Sequence, residues 1–95
     1  MKIRKKVIIK GKVQGVGYRA FVHRNAHNLG VNGWVRNLDN GDVEAIFEGE
    51  QASVNKMMEA CNQGPLLARV LSIDINNAEE GFGKEEEKFD QFIIR

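Results

Sequence analysis

Between positions 14 and 19 the chain reads Gln14-Gly15-Val16-Gly17-Tyr18-Arg19, and these are the residues best suited to chemistry. Glycines at 15 and 17 let several backbone N–H groups turn inward on one point without Cβ obstruction. A helix beginning at Tyr18 would add the positive end of its dipole. Arg19 in that first turn is unfavourable unless an anion binds beside it, and its planar fork suits bidentate contact with phosphate. The chemistry on offer is the gripping of a phosphoryl group. The same residues also suit a tight turn with Arg19 in water, and the loop alone leaves both readings open. Gly15-x-Gly17-x-x-Ala20 satisfies a loose dinucleotide fingerprint as well. However, the acidic residue expected about twenty positions on is replaced by Val35, and the chain is too short for a doubly wound sheet. No Gly-Lys-Ser/Thr follows the glycines, which excludes a P-loop.

Other reactive types are thinly spread. His23 and His27 stand four apart on one helix face with no evident third ligand, so a polar face is expected rather than a metal site. Cys61 falls on an apolar stripe and reads as an inert core thiol. Trp34 could stack on a substrate, but a place in sheet packing suits it better. Met57 and Met58 read as core.

The elements that must position the loop follow from periodicity. Val7–Val13 is β-branched and reads as a strand. Tyr18–Leu29 has apolar residues at Tyr18, Phe21, Val22, Ala26 and Leu29, close to helical spacing, and Gly30 is a left-handed stop. Val31–Leu38 reads as a second strand. Asn40-Gly41 signals a hairpin of type I′, which demands positive φ at both central residues. Asp42–Glu48 alternates as a third strand. Gln51–Gln63 puts Val54, Met57, Met58 and Cys61 on one helical face and ends at Gly64-Pro65. Ala68–Ile75 alternates through Leu71, Ile73 and Ile75 as a fourth strand. Asn76–Lys88 is polar and acidic and reads as an exposed loop, and Phe89–Arg95 as a short last strand.

The resulting order, β-α-β-β-α-β with a short C-terminal strand, predicts an α+β fold. It is a ferredoxin-like sandwich, an antiparallel sheet with two helices on one face, built as a single domain over residues 1–95. Right-handed crossovers make strands one and two run in the same direction. The glycine loop and Asn37, at the end of strand two, therefore become neighbours at one sheet edge.

Composition sets bounds. Ninety-five residues, 42% of them apolar, suit one small core. A net charge of +1 argues against a strongly basic nucleic-acid binder. No apolar run approaches the 18 or so residues of a membrane span. Val7–Ile9 is too short for a signal peptide after the basic Met1–Lys6. With one cysteine, a reducing cytoplasm is expected. The charge is unevenly placed. Met1–Arg36 holds nine Lys or Arg and no acid, whereas Asn37–Arg95 holds five basic against 13 acidic residues. Either the two halves pair when folded, or the first third carries a local anion site.

Two longer motifs carry a resemblance. Gly11-Lys12-Val13-Gln14-Gly15-Val16-Gly17-Tyr18-Arg19 closely resembles the acylphosphatase signature G-x-V-Q-G-V-G-[FY]-R. Gly33-Trp34-Val35-Arg36-Asn37-Leu38-Asp39-Asn40-Gly41-Asp42-Val43-Glu44 resembles that family's G-W-V-x-N-x-x-[DN]-G-x-V-E. Gly64-Pro65, followed by Ala68 and Val70, is similar to the family's second-helix exit. Departures are small: Tyr18 stands where Phe is commoner, and the acidic 76–88 loop is unlike the family average. The resemblance implies hydrolysis of the carboxyl–phosphate bond of small acyl phosphates. It implies catalytic roles for Arg19 and Asn37, and phosphate binding by Gln14, Gly15, Val16, Gly17, Tyr18 and Arg19. It implies no metal, no cofactor, no nucleic-acid or membrane partner, and inorganic phosphate as product and competitor; a monomer is the default for so small an enzyme. Two rivals remain at this level. One is an RNA-recognition module, disfavoured because strand three offers only Phe47. The other is a catalytically silent domain that merely binds an anion.

Overall fold

The computed structural model describes residues 1–77 and 89–95. Its elements are β1 (Lys2–Lys12), α1 (Tyr18–Leu29), β2 (Asn32–Asn37), β3 (Val43–Glu50), α2 (Gln51–Gln63), β4 (Arg69–Asn77) and β5 (Phe92–Ile94). They form one five-stranded sheet in the order β4-β1-β3-β2-β5. The four longer strands pair antiparallel, and β5 lies parallel to β2 at the far edge. This is the expected α+β, ferredoxin-like architecture, extended by one parallel edge strand. Both helices have the bounds that their periodicity predicts. Asn76 and Asn77 belong to β4, and the rest of the expected 76–88 loop lies outside the described residues.

Period-two alternation assigns each strand residue a face. Val7, Ile9, Val35, Val43, Ala45 and Phe47 meet Val22, Ala26, Val54, Met57 and Cys61 of the helices in one buried cluster. Phe92 of β5 joins it, stacked on Phe47 with ring centroids 5.8 Å apart. The opposite face carries charges that pair across the ladder. Arg4 meets Glu48 at 2.7 Å, Lys6 meets Glu44 at 3.1 Å, Arg36 meets Glu44 at 2.6 Å, and Lys10 meets Asp74 at 3.4 Å. Glu44 is buried, and its two cations are what make that burial tolerable. Trp34 lies on this face with the Arg36 and Arg95 guanidinium carbons 5.3 and 4.7 Å from the ring centroid, a packing role as expected. Much of the charge asymmetry is therefore resolved by β1 pairing with β3 and β4.

Two local expectations are corrected. The hairpin is not type I′: Asn40 keeps negative φ, and only Gly41 (φ 99°) is left-handed. The Gly41 N–H donates to the Leu38 carbonyl at 3.2 Å and the Leu38 N–H to the Asp42 carbonyl at 2.8 Å. That is a three-residue loop, Asp39–Gly41, closed by a left-handed glycine. In β4, Leu71, Ile73 and Ile75 do not share one buried face. The register to β1 shifts after Lys10, which pairs with Ser72, while Gly11 pairs with Val70. The bulge leaves Leu71 73% exposed and turns Val70 and Ile73 toward the core.

Gly33 shows how tightly β2 and β3 approach. Its φ is +135°, and a Cβ there would run into the main-chain oxygen of Ile46. Gly33→Ala should cost about 2 kcal/mol and lower the thermal midpoint by roughly 10 °C. Gly30→Ala, left-handed but facing open space, should cost about 1 kcal/mol. Thermal denaturation followed by circular dichroism checks both; equal midpoints for the two variants would contradict the close-approach argument.

Candidate active site

The turn from β1 into α1 is built by its glycines. Gly15 (φ 74°) and Gly17 (φ 79°) both take the left-handed conformation. Gly17 is the N-cap of α1, with no side-chain cap hydrogen bond and no acidic residue in the first turn. The Phe21 N–H donates to the Gly17 carbonyl at 3.1 Å. The N–H groups of the residues just before it start the helix without an intrahelical acceptor, and they lie beside a cavity of about 270 Å³.

That cavity brings the sequence-predicted residues together. Gln14, Gly15, Gly17, Tyr18 and Arg19 line it on the loop side, and Asn37 lines it from the end of β2. The parallel course of β1 and β2 thus delivers the two ends to one edge, as the topology predicts. The Asn37 Oδ1 is buried and has no hydrogen-bond partner. An unsatisfied buried acceptor carries a desolvation cost unless a donor such as water fills it. Arg19 is half-buried. Its Nη1 donates to the main-chain oxygen of Arg95 at 3.4 Å, and among the described residues no Asp or Glu side chain pairs with it. The site therefore combines a guanidinium, an uncapped helix start and a buried amide acceptor without a partner.

Three loop residues turn their side chains to other partners, which leaves the main-chain role expected of Val16 and Tyr18 untouched. Val16 does not line the cavity; its side chain packs against the core. The Tyr18 ring is buried, and its hydroxyl donates to the Cys61 carbonyl at 2.6 Å, so the hydroxyl is already engaged in the interior. Burial raises the phenol well above its ordinary range, so it offers no acid or base at neutrality. Gln14 lines the cavity, but its Nε2 donates to the Leu38 and Asp42 carbonyls, each at 2.8 Å. Ile94 of β5 supplies an apolar wall that sequence reading missed; a three-residue edge strand leaves little signal.

The remaining candidates stand apart from this cavity. Burial pushes the Cys61 thiol up to about 12, so it is protonated and inert as a nucleophile. His23 packs its ring 6.2 Å from that of Phe92, and His27 lies near it in a second cavity of about 490 Å³. Among the described residues no three His, Cys, Asp or Glu side chains cluster as metal ligands would, and no helix is long and apolar enough to cross a membrane.

Comparison with known proteins follows the same lines. A model of the Acylphosphatase family matches residues 5–94. The acylphosphatase of Roseiflexus sp. (strain RS-1) is 52% identical over 69 residues, covering 73% of this chain and 74% of that protein. The acylphosphatase of Geobacter sulfurreducens is 44% identical over 95 residues, covering 100% of this chain and 99% of its own. Among solved structures, the crystal structure of acylphosphatase from Bacillus subtilis superposes with a TM-score of 0.87 at 32% identity, covering 100% of this chain and 99% of that one. The likeness takes in both signature segments and the whole sheet, and the chain belongs to the acylphosphatase family of enzymes.

Proposed function

We propose that residues 1–95 act as one acylphosphatase domain that hydrolyses acyl phosphates to a carboxylate and inorganic phosphate, with Arg19 and Asn37 as its catalytic residues. An acyl phosphate is an activated mixed anhydride whose leaving group departs as a carboxylate, so no strong general acid is needed. The work is to hold a dianionic phosphoryl group and to place water in line with it. The Gly15–Tyr18 main-chain N–H groups and Arg19 hold the phosphoryl oxygens and stabilise the charge of the transition state. Asn37 accepts a hydrogen bond from the attacking water. An amide does not titrate near neutrality, so it orients the water and a phosphoryl oxygen takes the proton. As the water oxygen bonds to phosphorus, the phosphorus–acyl oxygen bond breaks and its electron pair leaves with the carboxylate. Positive charge comes from Arg19 and the helix start, so the reaction runs without metal. The single buried thiol suits a reducing cytoplasm, and a monomer suffices because every proposed group comes from one chain.

The observation that carries this reading is that Asn37, whose Oδ1 is buried and unpartnered, lines the same small cavity as Arg19. The test is release of phosphate from a synthetic aryl acyl phosphate, with inorganic phosphate as competitor and a chelator present. Turnover that phosphate inhibits and chelator leaves unchanged is expected. Phosphate binding without turnover would favour the silent anion-binding domain instead, and tight salt-sensitive RNA binding in a gel shift would favour an RNA module.

A further inference from the structure

The ladder does not by itself fix how far Arg19 stands from Asn37. β1 and β2 are not neighbours, since β3 lies between them. The β1–β3 pairing ends at Ile9 and Val43, whereas the Arg19-bearing loop begins at Val13. Beyond Ile9 the end of β1 is paired only with β4, on the side away from Asn37. The β2–β3 hairpin and the glycine loop therefore project past their shared ladder as two separate fingers.

Gln14 bridges them. Its Nε2 donates to the Leu38 and Asp42 carbonyls, each at 2.8 Å. Those two residues flank the three-residue turn, and Leu38 directly follows Asn37. The Asp42 carbonyl also accepts from the Leu38 N–H at 2.8 Å, so the amide fastens on the closing pair of the hairpin. With both its hydrogens engaged there, the side chain has no donor left for an anion.

We propose that Gln14 is a positioning residue that sets the spacing between the loop and Asn37, and that it acts on turnover through Asn37 rather than by binding phosphate. The proposal rests on the hydrolytic reading above. The discriminating variant is Gln14→Met, which keeps the stem and removes the donors, with Gln14→Ala as a second. The kcat for an aryl acyl phosphate should fall about tenfold to a hundredfold, as ångström-scale misplacement of a reacting water does. Competitive inhibition by inorganic phosphate should stay within about twofold of wild type. In an Asn37→Ala background the same substitution should lower the residual turnover by less than about twofold, the non-additivity of residues that act together.

Phosphate inhibition that weakens in step with kcat would overturn the proposal and make Gln14 a phosphate ligand. So would a full loss in the Asn37→Ala background, or loss of the cooperative thermal transition in both variants, which would make the bridge a structural requirement. Unchanged kcat in Gln14→Met, with wild type active, would sink the positioning role alone. A wild-type chain that releases no phosphate would sink the hydrolytic reading and this proposal with it.

Discussion

Arg19→Ala should lower kcat/KM for an aryl acyl phosphate by about 10²-fold or more, equivalent to roughly 3 kcal/mol of transition-state stabilisation. Inhibition by inorganic phosphate should weaken at the same time. Both follow from where the residue stands. Arg19 is half-buried in the first turn of α1, where the dipole opposes a cation, the first turn holds no acidic residue, and its contact with the Arg95 main-chain oxygen is a long one of 3.4 Å. In the proposed mechanism such a group is best matched by the bound anion, so its loss should be felt in the bound phosphate and more strongly in the transition state. Arg19→Lys keeps the charge but loses the fork, and should recover only part of the activity. Steady-state kinetics with a phosphate inhibition series measures all three quantities. An Arg19→Ala enzyme within about fivefold of wild type would remove the guanidinium from the mechanism.

Asn37→Ala should divide these effects. Turnover should fall by roughly 10²- to 10³-fold, the scale seen when one preorganised hydrogen-bonding group is removed from a reacting centre. Phosphate inhibition should hardly move, because in the proposed mechanism the amide holds the water and not the anion. Asn37→Asp keeps the shape but sets a carboxylate beside a dianion; it should lose turnover and also weaken phosphate inhibition by like-charge repulsion. Should Asn37→Ala lose both properties together, the amide would be a phosphate ligand and the water would need another holder.

Much of this arrangement was legible in the order of residues. The two helices follow from apolar spacing that nothing nearby contradicts, with Gly30 and Gly64 marking their ends. The meeting of the glycine loop with Asn37 follows from topology, since two parallel strands must finish at one edge. What escaped depended on contacts distant in sequence. The Leu71 bulge is set by Gly11, where a Cβ would lie 2.9 Å from the Leu71 nitrogen, an approach invisible within either segment alone. Gln14 lies inside a loop that reads as an anion cradle, and only the folded hairpin reveals that its amide faces Leu38 and Asp42. Val16 stands between two glycines that line the cavity, but the loop's path turns its side chain into the core. Asn40-Gly41 signalled a hairpin correctly, yet the loop took a third residue, which spared Asn40 a left-handed φ. Ile94 reaches the cavity only because β5 pairs in parallel with β2.

Tyr18 lines the cavity and gives its hydroxyl to the Cys61 carbonyl of α2. Binding surface and interior thus share one residue, and the loop has no hinge of its own at that point. If the loop holds the phosphoryl group as proposed, a softer grip there would also loosen the seam between the helices, and adaptability toward larger acyl groups would fall to Ile94, which lines the cavity from the three-residue strand β5.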